Sequence, residues 1–428
     1  MNESEKTVLI KNVQFFDPCT KTKSTISILI SNGIITDITH SASQSADRVV
    51  DLKGACVCPA FVDLDCSICD TKSTHREDVV TGTRAAIGGG YAALLCTQDR
   101  LDSSDGVTFA DFVKSRAKSR GFCEVFPVVR ASASQSLEKL KNKGVLAISN
   151  EGASLSTEQL YNIMKECARL DMLFIGATED ESLTKIGVVG EGKASEFLNL
   201  PAIPAAAESV EVSRLIALAG ATKCRVHLSC ISTMESAETV RLAKQRGVSV
   251  TAATAPQYFS LTEEDIMFYG ANAKLRPPLR SQDDANAIIK AIADGTVDAI
   301  SSRHRPCSKS EKSGTLVEAL PGMIGLQSVF SASYTYLVAQ RHVDIYRLIE
   351  LLSIAPARIA GLDLLGFGAL KAGNPLSLCV FGTGRELILS HSNIQSKSFN
   401  TPYLGMSLLG TVDRIMLGTQ DYILNSGI

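Results

Sequence analysis

The chain has 428 residues, 45% hydrophobic and 21% charged, which is enough for a large buried core and excludes a disordered tail. Its 43 basic and 45 acidic residues leave a formal net charge of −2, so no basic excess points to nucleic acid and no charged arm to a partner. No apolar run approaches the ~18 residues of a membrane span, the N-terminus lacks the pattern of a secretory leader, and the 12 cysteines sit mostly in apolar runs; a cytoplasmic protein is expected.

Residues 7–55 read as short alternating strands, TVLIKNVQFFD, TISILISNG, IITDI and RVVDLKG, with Ser31-Asn32-Gly33 as a hairpin turn. Apolar strands then alternate with helical patterns. The strands are expected at 56–65, 91–96, 123–129, 145–149, 172–176, 224–229, 248–253 and 297–302. Helices are expected at 156–170 and 232–247, the second opened by a capping box from Ser232 to Glu235 and closed by Gly247. Strand patterning returns in PLSLCVFG, ELILS and MSLLGTVDRIMLG. Near-continuous apolar strands separated by helices mean a parallel sheet covered on both faces. Their number, eight, favours a closed (β/α)8 TIM barrel over an open doubly wound sheet. An α/β chain is therefore expected, with a barrel over 56–369 and a small β-sandwich domain built from 1–55 and 370–428.

The active site of such a barrel lies at the C-terminal ends of its strands. The residues there are Asp65 and Ser67 after the first strand, Asn150 and Glu151 after the fourth, Ala177 after the fifth, Cys230 after the sixth and Arg303 after the eighth. His227 and His304 are expected to be hydrogen-bonded core or rim residues rather than ligands.

The segments PAFVDLD, REDVVTGTRAAIGGGYAAL, VHLSCISTMES, TAATAPQYFSLTEEDI, KLRPPLR and PGMIGLQS resemble signatures of the dihydroorotases, cyclic amidohydrolases with a mononuclear or binuclear zinc site. The likeness runs from the first strands to the tail. TAPQYFSLTEED together with KLRPPLR points to this branch rather than to the hydantoinases or allantoinases. The resemblance implies that the family's metal-ligand positions fall on Asp65, Ser67, Asn150 (or its neighbour Glu151), Ala177, Cys230 and Arg303. The last of these also stands where the family has its general base. Substrate-contact positions fall at or near Cys69, Asp99, Arg276 and Cys307, whereas Glu179, Asp180, His227, His304 and Pro306 match the family.

Zinc takes about three or four nitrogen, sulfur or carboxylate ligands. Alanine and serine offer little there, and a permanent guanidinium repels a dication. No catalytic residue, metal or other cofactor is therefore expected, and the remodelled pocket comprises Asp65, Cys69, Asp99, Glu151, Glu179, Cys230, Arg276, Arg303 and Cys307. A buried carboxylate needs a counter-charge, so Arg303 is expected within hydrogen-bond range of Asp65. The resemblance implies a dihydroorotase-like protein of pyrimidine biosynthesis that has lost activity. It would act as a structural or regulatory partner of aspartate carbamoyltransferase and form a homo-oligomer. Two alternatives stay open: an active cyclic amidohydrolase with an atypical site, which would need zinc, and a sensor binding an anionic metabolite in the remodelled pocket.

Overall fold

The computed structural model describes residues 7–40, 45–68, 73–99, 102 and 104–424. Its centre is a parallel sheet of eight strands in chain order: β1 (Phe61–Cys66), β2 (Tyr91–Thr97), β3 (Glu124–Arg130), β4 (Ala147–Ser149), β5 (Leu173–Gly176), β6 (Val226–Leu228), β7 (Val250–Thr254) and β8 (Ala299–Ile300). Beyond β8 the chain returns to β1. Cys66 bridges to His304, the Ser67 N–H donates to the His304 carbonyl at 2.9 Å, and the Ser302 N–H donates to Asp63 at 2.8 Å. The barrel is thus nearly closed, with a side chain helping to complete its last seam.

Alternate residues of the strands enter different cores, as the period of two requires. Leu95, Val128, Leu173 and Ile175 share one apolar cluster, while Leu94, Val129 and Phe174 pack in another with helix residues such as Phe109, Leu160 and Ile163. The helix Thr157–Arg169 shows the local logic. Ser156 and Gln159 form a capping box, and Leu160, Ile163, Met164 and Cys167 recur at helical spacing on the buried face.

The helix expected at 232–247 runs from Met234 to Gln245, and its cap differs from expectation. Thr233 is the N-cap and accepts from the Ser236 N–H at 3.2 Å. Ser232 cannot serve, because its N–H, at 2.7 Å, and its hydroxyl both donate to the buried Glu208 carboxylate. Gly247 does close the helix, in the left-handed region at φ 73°.

A second eight-stranded sheet joins Thr7–Asp17, Thr22–Ser31, Ile34–Thr39, Arg48–Asp51, Cys56–Pro59, Ser377–Ile388, Ser407–Leu417 and Gln420–Ile423. The single strand expected at 56–65 is in fact two. Cys56–Pro59 pairs with Thr7–Asp17 and Ser377–Ile388, and the chain enters the barrel only after Ala60. PLSLCVFG and ELILS likewise merge, across an irregularity, into Ser377–Ile388. In that strand Leu378 and Val380 face the core of the second sheet, whereas Cys379 and Phe381 join the barrel's outer cluster. One strand therefore serves both units. Among the described residues no helix is long and apolar enough to cross a membrane.

Candidate functional site

At the C-terminal ends of the barrel strands lies a cavity of about 470 Å³, within the usual size range of small-molecule sites. Ser67, Asp99, Asn150, Glu151, Ala177, Glu179, Arg276, Arg303 and Cys307 line it. Asp65, only 1% exposed, and the fully buried Cys230 are not wall residues. Cys69 lies outside the described residues.

Two arginines that follow β8 hold the centre. Arg303 Nη1 lies 2.6 Å from Asp65 and 3.3 Å from Glu151; Arg305 Nη2 lies 2.5 Å and 2.8 Å from the same two carboxylates. The contact expected between Arg303 and Asp65 is present. Arg303 also donates to the Arg276 carbonyl at 2.9 Å, and its backbone adopts a left-handed φ of 51°. Burial alone would raise the Asp65 carboxyl, but the charges of Arg305 and Arg303 outweigh it and hold the group at about 2. Burial opposes ionisation of Glu151 as well, and the same two cations pull it below its ordinary value.

Arg305 was not singled out by the sequence reading. The available signal was its position two residues beyond Arg303 in SRHRPC, close enough for both side chains to reach one carboxylate.

The other site residues fall into smaller pairings. The Asn150 side chain accepts from the Ala177 N–H at 2.7 Å and donates to Glu211 at 3.1 Å, tying the ends of β4 and β5 together. Arg276 lies 3.6 Å from Glu179 and donates to the carbonyls of Thr184 (3.1 Å) and Gly187 (3.0 Å). Asp99 is 3.9 Å from Arg76, whose main partner is Glu311 at 2.7 Å. The Cys307 N–H donates to Asn400 at 3.0 Å, and burial pushes both the Cys307 and Cys230 thiols up. His304 accepts at Nδ1 from the Gly325 N–H (3.1 Å) with Glu77 3.5 Å from Nε2. His227 Nδ1 lies 2.9 Å from the Thr251 hydroxyl, and burial lowers this histidine to about 3, so it is neutral at physiological pH.

Asp63, fully buried at the barrel seam, is a second acid that the sequence reading left unassigned. Burial raises it to about 6 despite hydrogen bonds from Ser302. Its folded value exceeds the ordinary unfolded value of about 3.9, so the folded state holds the extra proton between roughly pH 4 and 6. Stability linked to Asp63 therefore falls as pH rises through that window, by about 3 kcal/mol. Asp63→Asn should remove this slope in urea unfolding at pH 4, 5 and 6; identical slopes for the two proteins would refute the assignment.

Comparison with known proteins places this geometry. A family model described as dihydro-orotase-like matches residues 54–236. Proteins named dihydroorotase from Trichlorobacter lovleyi and Ruminiclostridium cellulolyticum are each 32% identical over 96% of this chain, which covers 98% and 97% of theirs. A further one from Geobacter sulfurreducens is 34% identical over 96% of this chain and 98% of its own. Among solved structures, the L-hydantoinase (dihydropyrimidinase) of Arthrobacter aurescens aligns with a TM-score of 0.89 at 20% identity, over 99% of this chain and 97% of that one. The dihydropyrimidinase of Brevibacillus agri aligns at 0.86 and 17% identity, over 97% and 95%. The structural likenesses establish the amidohydrolase fold with its barrel and β-rich second unit. The near full-length sequence matches go further: the chain belongs to the dihydroorotase family.

Proposed function

We propose that this protein is a non-catalytic member of the dihydroorotase family, serving pyrimidine biosynthesis as a structural or regulatory partner of aspartate carbamoyltransferase within an oligomeric assembly. The observation that carries the reading is the occupation of both Asp65 oxygens by the guanidinium groups of Arg303 and Arg305. Zinc does not fit these residues. A metal there would have to displace two cations from their carboxylates and sit beside them in a poorly solvated pocket.

Hydrolysis of a cyclic amide in this family also needs a base near the reacting water. Arg303, at the family's base position, is protonated at every relevant pH. Asp65, held at about 2, is a very weak base, and His227 at about 3 is little better. The retained barrel and the relatives named dihydroorotase support a role in the same pathway. The choice of partner rests on the family resemblance.

Purified protein should contain well under one zinc per chain and should not hydrolyse dihydroorotate above background. Stoichiometric zinc with turnover would overturn the non-catalytic reading. Affinity purification from the native host should recover aspartate carbamoyltransferase in stoichiometric amount; its absence would remove the partner.

A further inference from the structure

Beside the strand-end cavity lies a second one of about 470 Å³, between the ends of β2 and β3 and the start of the helix Gly106–Arg120. Among the described residues Gln98 alone lines both. Hydrogen bonds tie the wall of the second cavity together. The Gln98 side chain donates to the Ser104 carbonyl at 2.8 Å and accepts from the Arg130 N–H at 3.1 Å. Ser104 donates its N–H and its hydroxyl to one oxygen of the Asp102 side chain, at 2.8 and 2.5 Å. Arg130 Nη2 donates to the Asp99 carbonyl and, at 3.2 Å, to the Asp102 carbonyl, so Asp102 and the Arg130 guanidinium are in direct contact.

Both residues keep an unmet group. Asp102 is 1% exposed, and its second oxygen, Oδ2, accepts no hydrogen bond. The Nε–H of Arg130 is buried with no acceptor, and its Nη2 is turned to backbone carbonyls rather than to a carboxylate. The other charges on this wall are accounted for. Asp105 caps the helix, accepting from the N–H groups of Val107 (3.0 Å) and Thr108 (3.1 Å), and Lys139 is exposed to solvent. Water could complete the missing hydrogen bonds. It would still leave a carboxylate and a guanidinium, both largely withdrawn from solvent, without counter-charges, which is costly.

We infer that this second cavity binds a free α-amino acid, its ammonium group against Asp102 Oδ2 and its carboxylate on the Arg130 Nε–H. One molecule carrying both charges meets both groups and loses its translational freedom once, where two separate ions would lose it twice. The volume lies within the range of small-molecule sites and leaves room for a side chain beyond the two charged ends. The inference does not depend on whether the strand-end site is catalytic.

The test titrates each proteinogenic amino acid singly, by calorimetry, into the full-length protein. At least one should bind saturably at one site per chain. Its N-acetyl and carboxamide derivatives, each lacking one of the two charges, should bind about tenfold more weakly, the effect of one charge-assisted hydrogen bond. In Asp102→Asn the parent amino acid should fall to the level of its N-acetyl derivative, and in Arg130→Gln to that of its carboxamide. No binding by any amino acid, equal binding of the parent and both derivatives, or unchanged discrimination in the folded variants would overturn the inference. Should Asp102→Asn not fold, Arg130→Gln and the wild-type comparison of parent with derivatives decide.

Discussion

Asp65→Ala is expected to lower the free energy of unfolding by about 5 kcal/mol at pH 7, at the upper end of what breaking a buried ion pair costs. The carboxylate is 1% exposed and binds Arg303 and Arg305 at 2.6 and 2.5 Å. Its depression from an ordinary value of about 3.9 to about 2 accounts for roughly 2–3 kcal/mol through proton linkage. Its removal adds the cost of two guanidinium groups left with Glu151 alone. The sign with pH follows from the depressed value. Asp65 contributes fully above about pH 4 and loses its contribution as pH falls toward 2, so the gap between variant and wild type should be widest near neutrality and shrink below pH 4. Urea unfolding at pH 7, 5 and 3 reads this directly. Adding Arg305→Met to Asp65→Ala should recover part of the loss, because one stranded cation goes with it. A neutral-pH cost below about 1 kcal/mol would show that the pairs do not hold the strand ends together.

Glu208→Ala should cost about 3–4 kcal/mol. This fully buried carboxylate accepts from the Ser232 N–H (2.7 Å), the Thr233 N–H (3.1 Å), the Thr233 hydroxyl (3.1 Å) and the Ser232 hydroxyl, with Arg280 3.8 Å away. From a distant helix it holds the two N–H groups just before Met234–Gln245, beside the local Thr233 cap, so its loss both frees those backbone donors and leaves Arg280 without its carboxylate. Glu208→Gln keeps one acceptor and should lose about half as much. Hydrogen exchange at Ser232 and Thr233 should speed up in the alanine variant beyond the change across the barrel as a whole. Uniform acceleration would mean that Glu208 acts only through global stability.

The barrel was legible because its information is local. Runs such as YAALLC and MLFIG are apolar at every position, and their spacing by helices leaves few alternatives to a covered parallel sheet. The break at Ala60 was not, because CVCPAFVDLD is apolar on both sides of it and only pairing with distant strands assigns Cys56–Pro59 to the second sheet. At the site, Asp65 and Arg303 were found as a pair because each stood at a strand end where the resemblance drew attention. Arg305 and Asp63 were not, because nothing local separates a buried arginine or aspartate from an exposed one. Their roles arise from elements 240 and 239 residues away in the chain. The cap on Met234–Gln245 failed for the same reason. Ser232 has the right chemistry for it, and Glu208 claims that chemistry from another helix.

The paired arginines also constrain the routes by which this sequence can change. A single substitution placing an acid at position 303 would put a third carboxylate against Asp65 and Glu151, with Arg305 alone of the two cations left to balance them. The intermediate would be less stable than either neighbour before any ion could be captured to offset the repulsion. Reaching an acid-lined pocket therefore requires changes at several positions at once, and the arginines after β8 make the present arrangement hard to leave one substitution at a time.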